Sequence, residues 1–504
     1  MGDDVPSPRG VAQWPVKVYE GGGRIRLPVP LPWWSRSTGV PPVDPAVRLS
    51  ELLFDAAGIT RAIWRPGGTA ISSPQRPGMV WPDMRLGHRR TVPSGGAMYP
   101  IEIYVARLTG DIGVFHYDPA HHELVNLEHP APRGALQQAL DLDGATHPLW
   151  VVLTHRFGKN TFKYGNFAYR LGSADLGVIW SRLVTLGGRL FGDVTTHVDF
   201  DDAAVDRMCG NHPLDEAAYL LAGFGEAVAG TAERAARSVA PEPPAVLTRG
   251  PATALSPTFV AMHRAARAAV GHGRARAGTE IQADVGAPQD HVTGEIQLSI
   301  REGMQPPGPR VFATRRSGGA CFVETPVAFD VFETVLAQTW ATLELLRRTY
   351  ADGDPPEIQL LCALDRVPSV PAGWYRYDAT SSRLVPAGGS GTLPPSRVLQ
   401  DALHVKTVDL ERSAFSIHFA GLLDLRGRRR GARAYRCQQL FVGAGIEAAT
   451  RWSTACGVGS HPLHGFDSAR IDRCYGLDPG RFGVLGQVAV GHTHSNGTLE
   501  GTVG

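Results

Sequence analysis

His88-Arg89-Arg90-Thr91-Val92-Pro93-Ser94-Gly95-Gly96-Ala97-Met98-Tyr99-Pro100 runs without interruption into Ile101-Glu102-Ile103-Tyr104-Val105-Ala106. The first part reads as a basic turn whose three small residues, Ser94, Gly95 and Gly96, let a flat ligand come close to the backbone. The second part alternates, so that Ile101, Ile103 and Val105 fall on one face of a strand. Glycine turns ahead of strands are common structural devices, and the neighbouring sequence is what gives this one meaning.

Upstream, Leu49, Leu52, Leu53 and Ala56 have helical spacing and Gly58 is a stop signal. Residues 1–44 are rich in Pro and Gly, with one strand-like piece at 24–29, and read as an arm lying on a domain. Downstream, residues 113–118 and 149–154 read as strands. Residues 169–186 then carry Leu176, Ile179, Leu183 and Leu186 three or four apart, as a helix with one apolar face does.

That order recurs. GVFHYDPAHHELV from Gly113 aligns without gaps on GWYRYDATSSRLV from Gly373. Tyr169-Arg170 returns as Tyr435-Arg436, Phe200 to Gly210 as Phe466 to Gly476, and Gly225 as Gly491, all at a constant separation of 266 residues. A fixed offset kept over so long a stretch is the mark of an internal repeat. The expected organisation is an arm (1–44), module one (45–228), a linker with one helix (229–290), module two (291–495) and a tail (496–504). The Arg and His residues of the linker are read as a solvated face.

Pro93-Ser94-Gly95-Gly96-Ala97-Met98-Tyr99-Pro100 resembles the turn that holds the flavin in the nitroreductase superfamily. It is most similar to the Pro-Ser-Gly-Gly-Ala-x-Tyr-Pro of the SagB-type azoline dehydrogenases, which form thiazoles and oxazoles in modified peptides. The resemblance implies an α+β fold: two nitroreductase-like modules, each a central antiparallel or mixed sheet flanked by helices, paired as a pseudo-dimer within one chain. It also implies FMN at the module interface, with residues drawn from both halves. One such site would combine Arg90, Pro93, Ser94, Gly95 and Gly96 with Arg315, Arg316 and Ser317, whose guanidiniums and hydroxyl suit a phosphate. Gly457, Val458 and Gly459 would offer backbone N–H groups, and His492 would complete it. For a bare Arg-Arg pair a solvated face is the ordinary reading, and for Gly457 and Gly459 a helix cap. The reverse site would use Asp352-Gly353-Asp354-Pro355-Pro356-Glu357, which lacks Ser-Gly-Gly and brings carboxylates to a phosphate, so one flavin per chain is expected.

In the same family a Lys-Tyr pair precedes a Tyr-Arg and is implicated in catalysis; here these are Lys163-Tyr164 and Tyr169-Arg170. At the repeat offset, module two has Arg429-Arg430 instead. Azoline aromatisation removes a proton and a hydride; the flavin would take the hydride, and either Lys163 or Tyr164 would handle the proton. The Gly-His often found in the family's long helix is Gly177-Val178 here and Gly443-Ala444 in module two, so a role for that His is absent. The expected function is oxidation of thiazoline or oxazoline rings in a peptide, with dioxygen as acceptor, in a complex with a cyclodehydratase. The alternatives are an NAD(P)H-dependent nitro or quinone reductase, and a flavin-free scaffold subunit.

Composition sets bounds. At 504 residues and 43% hydrophobic content the chain can bury more than one core. Fifty Lys and Arg against 48 Asp and Glu leave a net charge of +2, which gives no reason to expect nucleic acid or an anionic membrane as partner. Six scattered cysteines with no C-x-x-C pair, and no signal-like N-terminus, fit a cytoplasmic location. His121-His122, His461, His464 and the His492-Thr493-His494 run lack the companion ligands of a closed metal site, and no metal is expected.

Overall fold

The computed structural model describes residues 14–30, 41–64, 86–110, 112–128, 132–142, 145–228, 243–248, 254–268, 295–299, 307–316, 322–353, 355–388, 393–425, 430–494 and 500–502. Two large sheets dominate, and they have the same strand order. In module one the strands run Arg24–Arg26, Glu123–Asn126, Gly113–Asp118, Ile101–Arg107, Leu149–Arg156, Glu216–Phe224 and Val194–His197, each antiparallel to its neighbour. In module two the order is Ile296–Gln297, Arg383–Pro386, Gly373–Asp378, Gln359–Leu364, Phe415–Leu422 and Phe482–Thr493. Both Gly459–Leu463 and Phe322–Val323 pair with that last strand. The repeat in sequence is a repeat in topology.

Strand alternation decides what each sheet face meets. Ile101, Ile103, Val105, Leu149, Val151 and Leu153 point into one core, whereas Tyr104, Ala106, Trp150 and Val152 point into a second core on the other face. The first core is shared by both modules: it takes in Leu176, Ile179 and Leu183 together with Leu440, Phe441 and Val442. Module two has its own outer core around Leu361, Trp374 and Tyr475.

The shared core is built on two long helices, Phe167–Phe191 and Arg433–Ala455, buried on nearly all sides. Both lie against one face of their sheet and against each other, so nearly every position is buried, polar ones such as Arg182, Arg436 and Glu447 included. At the crossing, Gly177 abuts the Leu440 carbonyl and Gly443 abuts the Ala174 carbonyl; an added methyl would sit 1.9 Å from the oxygen in either case. The two contacts are related by the 266-residue offset, so the halves meet about a pseudo-twofold axis. Beside it, the Ser181 hydroxyl and the Arg182 guanidinium both donate to the Glu447 carboxylate (3.0 and 2.8 Å), and Arg451 adds a third donor (3.1 Å). The glycines in the Gly177-Val178 and Gly443-Ala444 pairs therefore serve close helix packing.

Three segments depart from the sequence expectation. Helix Pro257–Ala268 in the linker is docked, with Phe259 and Ala266 buried. Phe259 packs edge-on against Phe157, and Arg267 pairs with Asp206, so this stretch is no solvated face. At the C-terminus, Glu500–Thr502 is a strand rather than a loose tail; it pairs antiparallel with Ile59–Trp64, which in turn pairs with Leu86–Arg90. The arm also pairs with the linker, Tyr19 opposite Val246. Among the described residues, no helix is long and apolar enough to cross a membrane.

Candidate active site

The turn sits where strand Leu86–Arg90 hands over to strand Ile101–Arg107. It is unusual backbone: Gly96 has φ +61°, and Ala97 and Tyr99 follow in the left-handed region at +57° and +47°. L-residues avoid this region, and its use at neighbouring positions marks a conformation that surrounding contacts must hold. The Tyr99 N–H donates to Ser94 Oγ (2.9 Å), and the Tyr99 hydroxyl accepts from the Arg90 N–H (3.2 Å). From the long helix of module one, Asp175 accepts from Ser94 Oγ (2.6 Å) and from the Gly95 N–H (3.0 Å). Burial raises the Asp175 carboxyl to about 7, against the lowering effect of those two donors.

Lys163 and Tyr164 end the short helix Gly158–Tyr164, which Gly165 closes at φ +52°. Both reach the turn: a methyl on Gly96 would lie 2.1 Å from Tyr164 Oη and 2.7 Å from Lys163 Nζ. The Lys163 ammonium is 5.0 Å from the centre of the Tyr164 ring. Burial pulls the Lys163 amine below the ordinary lysine range. Burial, and then the charge of Asp175, hold the Tyr164 phenol well above its ordinary value. At neutral pH Tyr164 is a hydrogen-bond donor, and Lys163 is the group whose basic form is the more accessible.

Next to the turn each module contributes one buried arginine. Arg90 and Arg315 are 2% and 3% exposed. Arg315 comes from module two and donates through Nε to the Thr91 carbonyl (3.0 Å), while its own carbonyl accepts from Arg61 (3.0 Å). Arg90 Nε and Nη2, Arg315 Nη1 and His88 Nε2 are buried and have no hydrogen-bond partner. Burial lowers the Arg315 guanidinium to about 10, opposed by Tyr99 and reinforced by Arg61 and Arg182. Burial and then Arg90 hold His88 at about 4, so it is neutral. Unsatisfied buried donors beside permanent positive charge are suited to an anion with several acceptor oxygens, such as a phosphate monoester.

Arg316 is exposed, and Ser317 lies outside the described residues. Gly457 follows the long helix of module two at φ +76°, its N–H bonded to the Thr454 carbonyl (3.1 Å), so it does cap that helix. Val458 is buried, Gly459 pairs with Gly491, and His492 pairs with Val323. Among the described residues, no hydrogen bond joins them to the turn. Asp175, Tyr99 and Arg61 were not singled out from sequence. The signal for Asp175 was present: it is the sole acidic residue between Phe167 and Phe191.

The reverse site is closed. Module one places a hairpin and the turn between helix Pro45–Ala57 and strand Ile101–Arg107; module two has only residues 350–358 between helix Phe329–Thr349 and strand Gln359–Leu364. Asp354 lies outside the described residues. Asp352 is engaged by module one, accepting from the N–H groups of Val198 and Asp199 (2.8 Å for the latter), with His197 Nδ1 at 3.0 Å. Burial raises the Asp352 carboxyl, but His197 and the backbone donors outweigh it and hold it below the usual range. Arg430, the counterpart of Tyr164, donates to Asp199 (2.8 Å) and to the Asp352 carbonyl, and covers the Tyr350 ring. Arg429 lies outside the described residues. His121 approaches Asp118 and Glu123 closely enough to suggest a metal site, but the Arg24 guanidinium already pairs with both carboxylates.

No family model matches the chain. Over 141 residues it is 32% identical to the trifolitoxin-processing protein TfxB of Rhizobium leguminosarum bv. trifolii, a match that takes in 26% of this chain and 38% of that protein's length. The Escherichia coli microcin synthetase McbBCD complex with truncated pro-MccB17 overlaps 36% of this chain and 70% of the matched chain at 15% identity. Its TM-score of 0.28 is too low to carry a structural argument. A protein assigned to the nitroreductases, from Anabaena variabilis ATCC 29413, superposes on 95% of this chain and 94% of its own, with a TM-score of 0.69 and 19% identity. Strand order within each half and superposition of the whole lead to one conclusion: the chain has the nitroreductase fold, built twice in a single polypeptide and closed on itself as a pseudo-dimer.

Proposed function

We propose that this chain is an FMN-dependent oxidoreductase of the SagB type that converts thiazoline or oxazoline rings of a peptide to thiazole or oxazole. The carrying observation is the convergence of Lys163 and Tyr164 on Gly96 of the turn, in the one half that has a turn. The local similarity to a trifolitoxin-processing protein supports a peptide substrate. Arg90 and Arg315 would hold the phosphate, and the Ser94–Gly96 backbone would lie against the ring system. When bound, FMN supplies the two-electron acceptor for a hydride from the ring carbon adjacent to the α carbon, and dioxygen then takes the electrons on. Lys163, made less basic by burial, removes the α proton; Tyr164 stays protonated and donates a hydrogen bond to the azoline heteroatom or the neighbouring carbonyl.

The test is reconstitution with FMN and an azoline peptide, followed by mass spectrometry for the loss of two hydrogens per ring. One FMN per chain is expected. Lys163→Ala and Tyr164→Phe should keep the flavin while the rate falls about 100- to 10,000-fold. Because Lys163 must be neutral to act, kcat should rise with pH, with its midpoint below the ordinary lysine value. Two flavins per chain, or full activity in both variants, would refute the assignment. Bleaching by NADPH without azole formation would point instead to a reductase.

A further inference from the structure

We propose that Asp175 is the positioning residue of this site: it holds the Ser94–Tyr99 turn in its left-handed conformation and so sets where Lys163 and Tyr164 meet the bound ligand. The inference rests on the reading that the turn receives the flavin.

Asp175 projects from the long helix of module one, and its two oxygens are used by two successive residues of the turn, Ser94 through its hydroxyl and Gly95 through its N–H. Ser94 Oγ passes the constraint on by accepting from the Tyr99 N–H, which closes a ring around Gly95, Gly96, Ala97 and Met98. Two of the left-handed residues, Gly96 and Ala97, lie inside that ring, and the third, Tyr99, closes it. Asp175 forms no ion pair among the described residues, and its charge bears on the Tyr164 phenol. A buried carboxylate without a counter-ion is costly, and is kept where its hydrogen bonds do something a neutral residue would not.

The repeat provides an internal control. At the 266-residue offset Asp175 corresponds to Phe441, which packs edge-on against Trp180 in the shared core. Module two has no turn, and at this position no carboxylate. The acid and the turn occur together in one half and are missing together from the other, as expected if the acid exists for the turn rather than for the helix.

The experiment compares the full chain with Asp175→Ala and Asp175→Asn. In the protein without added flavin, amide hydrogen exchange is read at Gly95 and Tyr99, with strand Leu149–Arg156 as reference. Asp175→Ala should speed exchange at both amides at least about tenfold and leave the reference unchanged, because it removes the hydrogen bond at one amide and the anchor of the other. Asparagine can accept from Gly95 and donate to Ser94 Oγ, so Asp175→Asn should restore protection to within about threefold. In a second arm, FMN affinity should fall about tenfold or more in Asp175→Ala and recover in Asp175→Asn, with a shifted flavin absorption band in the alanine variant only. Unchanged exchange at Gly95 and Tyr99 in Asp175→Ala would overturn the positioning role. So would loss of protection in the reference strand together with the turn, without rescue by asparagine. Failure of the parent chain to bind FMN, with the exchange results as expected, would overturn the flavin reading and leave the positioning role standing.

Discussion

Gly96→Ala separates the geometry of the site from the stability of the fold. The new methyl would lie 2.1 Å from Tyr164 Oη and 2.7 Å from Lys163 Nζ, where ordinary contact begins at 3.4 Å. The phenol must retreat by about 1.3 Å, a displacement of the size that costs on the order of 100-fold in rate when a catalytic group is moved. The groups in the way are side-chain ends and not backbone, so the fold survives the change. The remaining cost is the φ of +61° at Gly96, about 1–2 kcal/mol for an L-residue. Gly188→Ala, near the end of the long helix of module one, is the control, since its methyl would meet nothing within 4 Å. With FMN saturating, Gly96→Ala should fold, bind flavin and turn over about 100-fold more slowly, while Gly188→Ala should stay within about threefold of the parent. Steady-state kcat on an azoline peptide, alongside a urea unfolding curve for each variant, reads both quantities. Parental turnover in Gly96→Ala would refute the convergence of the pair on the turn, and equal damage in both variants would show that the loss is not specific to the turn.

Gly177→Ala and Gly443→Ala should each destabilise the chain by about 3 kcal/mol, because a methyl 1.9 Å from a backbone oxygen can be relieved only by parting the two long helices. The double variant should cost clearly less than twice that, since the first separation makes room for the second methyl; full additivity in chemical denaturation would count against the shared crossing. Arg430→Ala should lower stability by about 2 kcal/mol, through loss of its bonds to Asp199 and the Asp352 carbonyl, yet leave turnover per bound flavin unchanged. A fall in kcat at full flavin occupancy would mean that the closed half takes part in the reaction.

Much of this architecture was legible because it is written twice. Gly113–Asp118 and Gly373–Asp378 keep alignable sequence since both are central strands with the same neighbours. Local pattern found the long helix of module one and the turn, and the family resemblance singled out the Lys163-Tyr164 pair. What it missed is non-local. Nothing about residues 500–502 announces a partner at Ile59–Trp64, because backbone pairing leaves little trace in a three-residue strand. The linker helix reads as amphipathic, but its destination between Phe157 and Arg433 is set by tertiary contact alone. Asp175 looked like one polar residue in an apolar helix, and only its reach across to Ser94 and Gly95 gives it meaning. In sequence Arg429-Arg430 reads only as the replacement of the Lys163-Tyr164 pair, and the structure gives Arg430 bonds to Asp199 and to the Asp352 carbonyl.

Joining the two halves by a peptide linker changes what a single substitution can do. In a dimer of identical chains every replacement is made at both interfaces at once, so a residue that seals one site seals the other. Here Tyr164 and Arg430 occupy matching positions in separate halves, and each can be chosen on its own terms. One interface can therefore be spent as a permanent brace, with Arg430 and Asp352 locking the halves together, while the opposite one keeps the turn with Lys163 and Tyr164 beside it. Two identical chains cannot divide those tasks without breaking their symmetry.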